Sequence, residues 1–223
     1  MKGYRRSLTF WGYTMEKYFL IVMGTVLVIS VILGRGKDIF EILPTYLPMM
    51  GVISIMAQAF NAPVIYIPQG LSLGATRKEI LAGMEIMLHV IALQVVLILT
   101  VVIRLTPDSV NLGTLPDIFR MELGTGLAVL GGIFLFLCGI GNGICAATVR
   151  FGAKIGMVAY MVFTLAIVFG LIFLISFSLM DKFGNVSDML SLVKNVGPVI
   201  AIVFDAVMIV LSFAAIKKYE VKA

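Results

Sequence analysis

Residues 70–103 read GLSLGATRKEILAGMEIMLHVIALQVVLILTVVI. From Ile80 to Ile103 the chain holds no lysine, arginine or aspartate, and its only titratable side chains are Glu85 and His89. Roughly 20 helical residues cross a hydrocarbon core, so this run is long enough to span one. A lone strand in lipid would leave its backbone groups unpaired, and the alternation of a barrel strand is absent, so the run reads as a helix. Just before it, Thr76 suits the N-cap position, and Glu79 three residues on completes a capping-box pattern.

Cutting the rest of the chain at charges and turn residues gives six apolar stretches in all. They lie near Tyr18–Gly34, Leu43–Ile67, Ile80–Ile103, Leu123–Thr148, Ile155–Met180 and Val196–Ile216. Composition agrees: of 223 residues, 61% are hydrophobic and 13% charged, with a mean hydropathy of +1.09. Soluble domains carry about 45–50% apolar and 25% charged residues. The fold class expected is therefore an all-α polytopic membrane protein, a single transmembrane domain over residues 1–223. The first run lacks a small-x-small cleavage site and reads as a retained span. Cys138 and Cys145 share one span, about two turns apart, too far for a mutual disulfide.

Loop charge sets the expected direction. With the N-terminus inside, Lys2, Arg5, Arg6, Lys17, Arg77, Lys78, Arg150, Lys154, Lys217, Lys218 and Lys222 are cytoplasmic, leaving Arg35, Lys37, Arg104, Arg120, Lys182 and Lys194 outside. Both termini then face the cytoplasm. Residues 1–17 interleave basic residues with Tyr4, Phe10, Trp11 and Tyr13, the pattern of a helix lying among lipid headgroups. The net charge of +5 sits in short clusters between apolar runs, which argues against nucleic-acid binding.

Catalytic inventories are thin. His89 is the single histidine, and no Gly-x-Ser-x-Gly or Gly-x-x-x-x-Gly-Lys-[Ser/Thr] sequence occurs. The expectation is a non-enzyme without metal or cofactor of its own. Polar residues inside spans then become the main functional signal. Glu85, His89 and Thr100 fall within about 60° of one another on one helix face, and Gln94 lies about 180° away. Two meanings fit the stripe: a pathway wall, or a Glu–His pair satisfying itself at i, i+4. Asp205 stands mid-span with no basic residue in its span, where a carboxylate costs roughly 2.5–3.5 kcal/mol. It must face protein or water. Ser54, Gln58 and Asn61 share a face of the second span, whose Pro44, Pro48 and Pro63 predict kinks. Gly139 and Gly143 form a small-x-x-x-small pair suited to close helix packing.

The segment Ser72-Leu73-Gly74-Ala75-Thr76-Arg77-Lys78-Glu79, after an apolar span ending near Pro68, resembles the coupling loop in small six-span permease subunits of bacterial ABC exporters. The basic amphipathic start, six spans and overall length resemble that family too. The resemblance implies a subunit of the bacterial cytoplasmic membrane that dimerises with a second six-span subunit. ATP and magnesium would sit on a separate ATPase, docked at Gly74, Arg77, Lys78 and Glu79. The cargo implied is amphipathic or hydrophobic, a peptide or lipid-like molecule. Two other classes fit the layout: the substrate-binding membrane subunit of a vitamin importer, and a membrane scaffold.

Overall fold

The structure, a computed structural model, describes residues 2–33, 39–105, 123–179 and 194–217. Those residues build a helical bundle with no strand among them. The chain opens with α1 (Lys2–Trp11), a wider π-wound stretch at Gly12–Glu16, and α2 (Lys17–Leu33). It continues with α3 (Ile39–Asn61), a second π stretch at Ala62–Tyr66 and the short α4 (Ile67–Ser72). Then come α5 (Arg77–Leu105), α6 (Leu123–Phe151), α7 (Ala153–Leu179) and α8 (Gly197–Ile216). Among the described residues, five helical stretches are long and apolar enough to cross a bilayer: Arg6–Ile32, Leu47–Ser72, Arg77–Leu105, Leu123–Phe151 and Gly197–Ile216. The chain is an all-α polytopic membrane protein.

Two local breaks have different origins. Pro63 lies in the second π stretch, because a proline has no N–H for the ladder and its ring displaces the preceding carbonyl. Pro44 and Pro48, by contrast, fall within α3. Near residue 17 the sequence suggests a boundary between an interfacial helix and the first span; the winding widens at Gly12–Glu16 and α2 begins at Lys17, with the backbone helical throughout from Lys2 to Leu33. Trp11 is fully buried, and Ser7 Oγ donates to the Glu79 carbonyl at 2.7 Å, so α1 is docked on the start of α5.

Glycines record which way the helices run. A methyl on Gly83 would come within 2.6 Å of Trp11 Cδ1, and Gln94 bonds Glu16, so α1–α2 and α5 are parallel. Gly51 lies against Val95 and Phe134, and Gly141 against Ala59 and Leu88; α3 is therefore parallel to α6 and antiparallel to α5. On α6, Gly132 faces Pro198, Gly139 faces Phe204 and Asp205, and Gly143 faces Met208, so α6 and α8 are parallel. Two parallel crossings require the intervening chain to return across the bilayer. The long helix in that interval is α7, with 27 residues.

The bundle's outer and inner faces suit lipid. Along α5, Ile86, Leu93, Leu97 and Val101 point outward, while Met84, Leu88, Ile91, Val95 and Leu99 are buried. Helix association in lipid rests on close packing and interhelical hydrogen bonds, because apolar surface gains little by leaving acyl chains. The glycine-lined α6–α8 contact and a buried polar cluster supply both.

Parallel and antiparallel runs place Arg6, Arg77, Lys78, Arg150, Lys154 and Lys217 at one end of the bundle, and Arg104 and Lys194 at the other. The segments joining α2 to α3, α5 to α6 and α7 to α8, with most of the expected outer-loop charges, lie outside the described residues, as do Lys218 and Lys222.

Candidate functional site

Inside the bundle, α5, α6 and α8 bring Glu85, His89, Asn142 and Asp205 together. His89 Nδ1 lies 2.7 Å from the Glu85 backbone carbonyl, and Nε2 lies 2.7 Å from Asp205 Oδ2. A carbonyl only accepts, so Nδ1 carries a hydrogen. Between Nε2 and Oδ2 there is then one further proton, and the pair is either imidazolium–carboxylate or imidazole–carboxylic acid. Both forms are neutral overall, which suits the interior of a membrane.

Asn142 holds the other side of Asp205. Its Nδ2 donates to Oδ1 at 3.4 Å, and its own backbone carbonyl accepts from Ser212 Oγ at 2.9 Å. Helix geometry brings them together: Gly139 lets the α8 backbone approach at Asp205, so a side chain with one methylene reaches both partners. Asn142 is fully buried and Asp205 is 5% exposed. Sequence reading passed over Asn142, although an amide between Gly141 and Gly143 in an apolar helix was the available signal.

Glu85 departs from the simple pair at i, i+4. Its carbonyl, not its carboxyl, meets His89, and the carboxyl stands against Asn142. Both carboxyl oxygens, and Asn142 Oδ1, are buried with no hydrogen-bond partner among the described residues. Thr100 does not join the cluster; its hydroxyl bonds back to the Val96 carbonyl at 2.7 Å within α5. Gln94, on the opposite face, donates to Glu16 Oε1 at 3.0 Å and ties α5 to the π stretch before α2.

The second-span stripe is buried at Ser54 and Gln58 and half-buried at Asn61, and Ser54 Oγ and Gln58 Oε1 have no partner among the described residues. It is inward-facing polarity separate from the four-residue cluster in its bonding. Gly139 and Gly143 pack against α8, as described above.

At the basic end, residues 69–79 form a tight, internally bonded turn. Gly74 takes φ +82°, the left-handed region that a Cβ disfavours, and Ala75 N–H reaches back to the Gly70 carbonyl at 3.1 Å. Thr76 N–H donates to Glu79 Oε2 at 3.0 Å, and Glu79 N–H to Thr76 Oγ1 at 3.3 Å, a reciprocal capping box. Leu73, Gly74, Thr76, Arg77 and Lys78 are exposed. The turn is joined to α1 through Ser7 and Glu79 and approaches the end of α8 through Arg77 Nη1 and the Lys217 carbonyl, 3.4 Å apart.

No family model, curated protein or solved structure matches the chain.

Proposed function

We propose that this protein is the membrane-embedded permease subunit of an ATP-driven bacterial exporter, crossing the cytoplasmic membrane six times with both termini inside. It pairs with a second six-span subunit, identical or related, to enclose the pathway. A separate ATPase presses on the Gln69–Glu79 turn, and the cargo is amphipathic or hydrophobic. One observation carries this reading. The turn is exposed, basic at Arg77 and Lys78, and held in a single shape by Gly74 and the Thr76–Glu79 box. It is also bonded to two other helices of the bundle. A rigid projection fixed to several helices can pass a push from a soluble partner into the membrane domain, which a floppy loop cannot. The positive-inside rule supports the cytoplasmic side for that end.

Copurification from the native membrane tests this. An ATPase should accompany the wild-type chain and be lost from an Arg77→Glu, Lys78→Glu double variant that still assembles in the membrane. An ATPase retained equally by both forms would move the docking site elsewhere. Absence of any ATPase under conditions that preserve other transporter complexes would overturn the reading.

A further inference from the structure

We infer that Glu85, Asn142, Asp205 and His89 form an intramembrane proton-binding site, in which Glu85 carries a proton while α5, α6 and α8 are packed together. The inference is independent of the permease reading, since it needs no ATPase and no particular cargo. It starts from counting donors and acceptors. Glu85 Oε1, Glu85 Oε2 and Asn142 Oδ1 are three buried acceptors without a donor, and Glu85 is 6% exposed and Asn142 0%. Buried acceptors left unpaired are costly and uncommon, so something on these atoms is missing.

The possible occupants narrow quickly. Stretches Leu43–Ile67, Ile80–Ile103, Leu123–Thr148 and Gly197–Ile216 hold no lysine or arginine. The other packed element, α1–α2, meets α5 at Gly83 and Gln94, about 160–180° around the helix from Glu85, and its Arg6 and Lys17 are exposed. No side-chain cation is therefore available to Glu85 from the helices around it. The groups facing it are His89 on its own helix, Asn142, Cys138 and Cys145 on α6, and Asp205 on α8. His89 is the one cationic candidate, and its Nε2 proton is shared with Asp205 at 2.7 Å. Neither Glu85 oxygen has surface open to a water molecule, which leaves no room for a water or an ammonium group, and no set of three or more metal-ligating side chains gathers there among the described residues. A proton fits. A neutral Glu85 carboxyl carries one donor, which the amide oxygen of the neighbouring Asn142 can accept while its Nδ2 serves Asp205. The network is then neutral from α5 through α6 to α8, as the membrane interior demands.

This assignment makes protonation and packing one equilibrium. When α5 parts from α6 and α8, water reaches the carboxyl, takes its proton as a hydrated proton, and leaves a solvated carboxylate. The packed bundle thus binds one proton more than the opened one, and its stability falls as pH rises through the titration of Glu85.

Infrared spectroscopy of the full-length protein in lipid nanodiscs tests the assignment. At neutral pH the spectrum should contain a carboxylic-acid C=O band that shifts on labelling with 13C-glutamate, persists in Glu16→Gln, and is lost in Glu85→Gln. Thermal unfolding across the same pH range should lose one proton's worth of pH dependence in Glu85→Gln relative to wild type. A spectrum without a glutamate-labelled acid band overturns the proposal, and so does a band that survives Glu85→Gln. Identical pH slopes in the two proteins overturn it as well. Should Glu85→Gln fail to fold, the labelled wild-type and Glu16→Gln spectra still decide, because a missing band, or one that vanishes with Glu16, refutes the site.

Discussion

Gly139→Ala should separate α6 from α8 and loosen the buried cluster in the same step. A Cβ built on Gly139 would lie 2.7 Å from Phe204 Cδ1, 2.9 Å from Cε1 and 3.1 Å from the Asp205 Cα. Carbon atoms pack comfortably at about 3.5–4.0 Å, so a gap of roughly 0.5–1 Å must open. Phe204 cannot easily swing away, since its ring stacks on Phe136 at 4.7 Å, and the Asp205 contact is backbone. The helix itself has to move. Overpacking of this kind costs about 1–3 kcal/mol. The intrinsic helix preference for alanine over glycine, about 0.8–1 kcal/mol in water, offsets part of it.

Two other glycines on α6 separate those terms. Gly131 meets nothing within 4 Å, and Gly143 meets only the Met208 thioether, at 3.5 Å and beyond. Alanine at either should be neutral or slightly stabilising, which leaves Gly139→Ala the least stable of the three by about 1–3 kcal/mol. Equilibrium unfolding in mixed detergent, followed by the single tryptophan, Trp11, reads the stability order. The single histidine gives a second readout, because 15N-histidine labelling produces one side-chain signal pair from His89. Displacing Asp205 should shift Nε2 in Gly139→Ala and leave it unchanged in Gly131→Ala. Equal stability for all three variants, with an unmoved Nε2, would refute the close approach that brings Asp205 to His89.

Three further outcomes are expected. Asp205→Ala should cost about 1–3 kcal/mol by leaving the imidazole and the Asn142 amide without their partner. A double-mutant cycle with His89→Ala should return about 0.5–3 kcal/mol of coupling by the same unfolding assay, whereas a coupling near zero would mean the 2.7 Å contact contributes nothing. Gln94→Leu should destabilise by about 1–3 kcal/mol because Glu16 loses its donor, and adding Glu16→Leu should restore most of that, read by thermal unfolding. Gly74→Ala should cost about 1–2 kcal/mol from its φ of +82° alone, with faster amide exchange confined to residues 73–80; exchange that changes across the whole of α5 would contradict a local turn.

Architecture was legible in the sequence because lipid leaves the backbone few options. A long apolar run such as Ile80–Ile103, with no lysine, arginine or aspartate, has to be helical, and its length has to match the hydrocarbon core. The capping box was legible for a similar reason: Thr76 and Glu79 are three residues apart, and local spacing fixes their meeting. The cluster was not. Glu85 and Asp205 stood out as costly, but their partners lie across helix contacts that no single-helix wheel contains. His89 was placed with Glu85 by the i, i+4 rule, yet its ring reaches across 116 positions to Asp205. Asn142 passed unnoticed among the glycines, although those glycines are what bring α8 close enough for it to matter. Residues 1–17 read as a separate element, and the winding does change there, at the π stretch Gly12–Glu16 just before α2; what periodicity could not show is the groove beside Gly83 that receives Trp11.

The exposed turn and the buried cluster share one rigid element. Glu79 closes the cap at the start of α5, Glu85 follows about 9 Å along the same helix, and His89 about 6 Å beyond that. A displacement of α5 imposed at the turn is therefore carried to the cluster nearly undiminished. At the cluster, α5 contributes Glu85 and His89, while α6 and α8 contribute Asn142 and Asp205. Moving α5 against the other two has to stretch the 2.7 Å His89–Asp205 bond and open the Glu85 carboxyl to water. Packed cores resist small displacements and yield in discrete steps, so the arrangement favours two states over a graded slide. In the packed state the turn is held by Ser7 and the cluster is neutral; in the parted state a carboxylate must find water. A partner that binds the turn only when α5 has moved would thus be opposed by protons and favoured by their loss, and the two ends of α5 would report on each other.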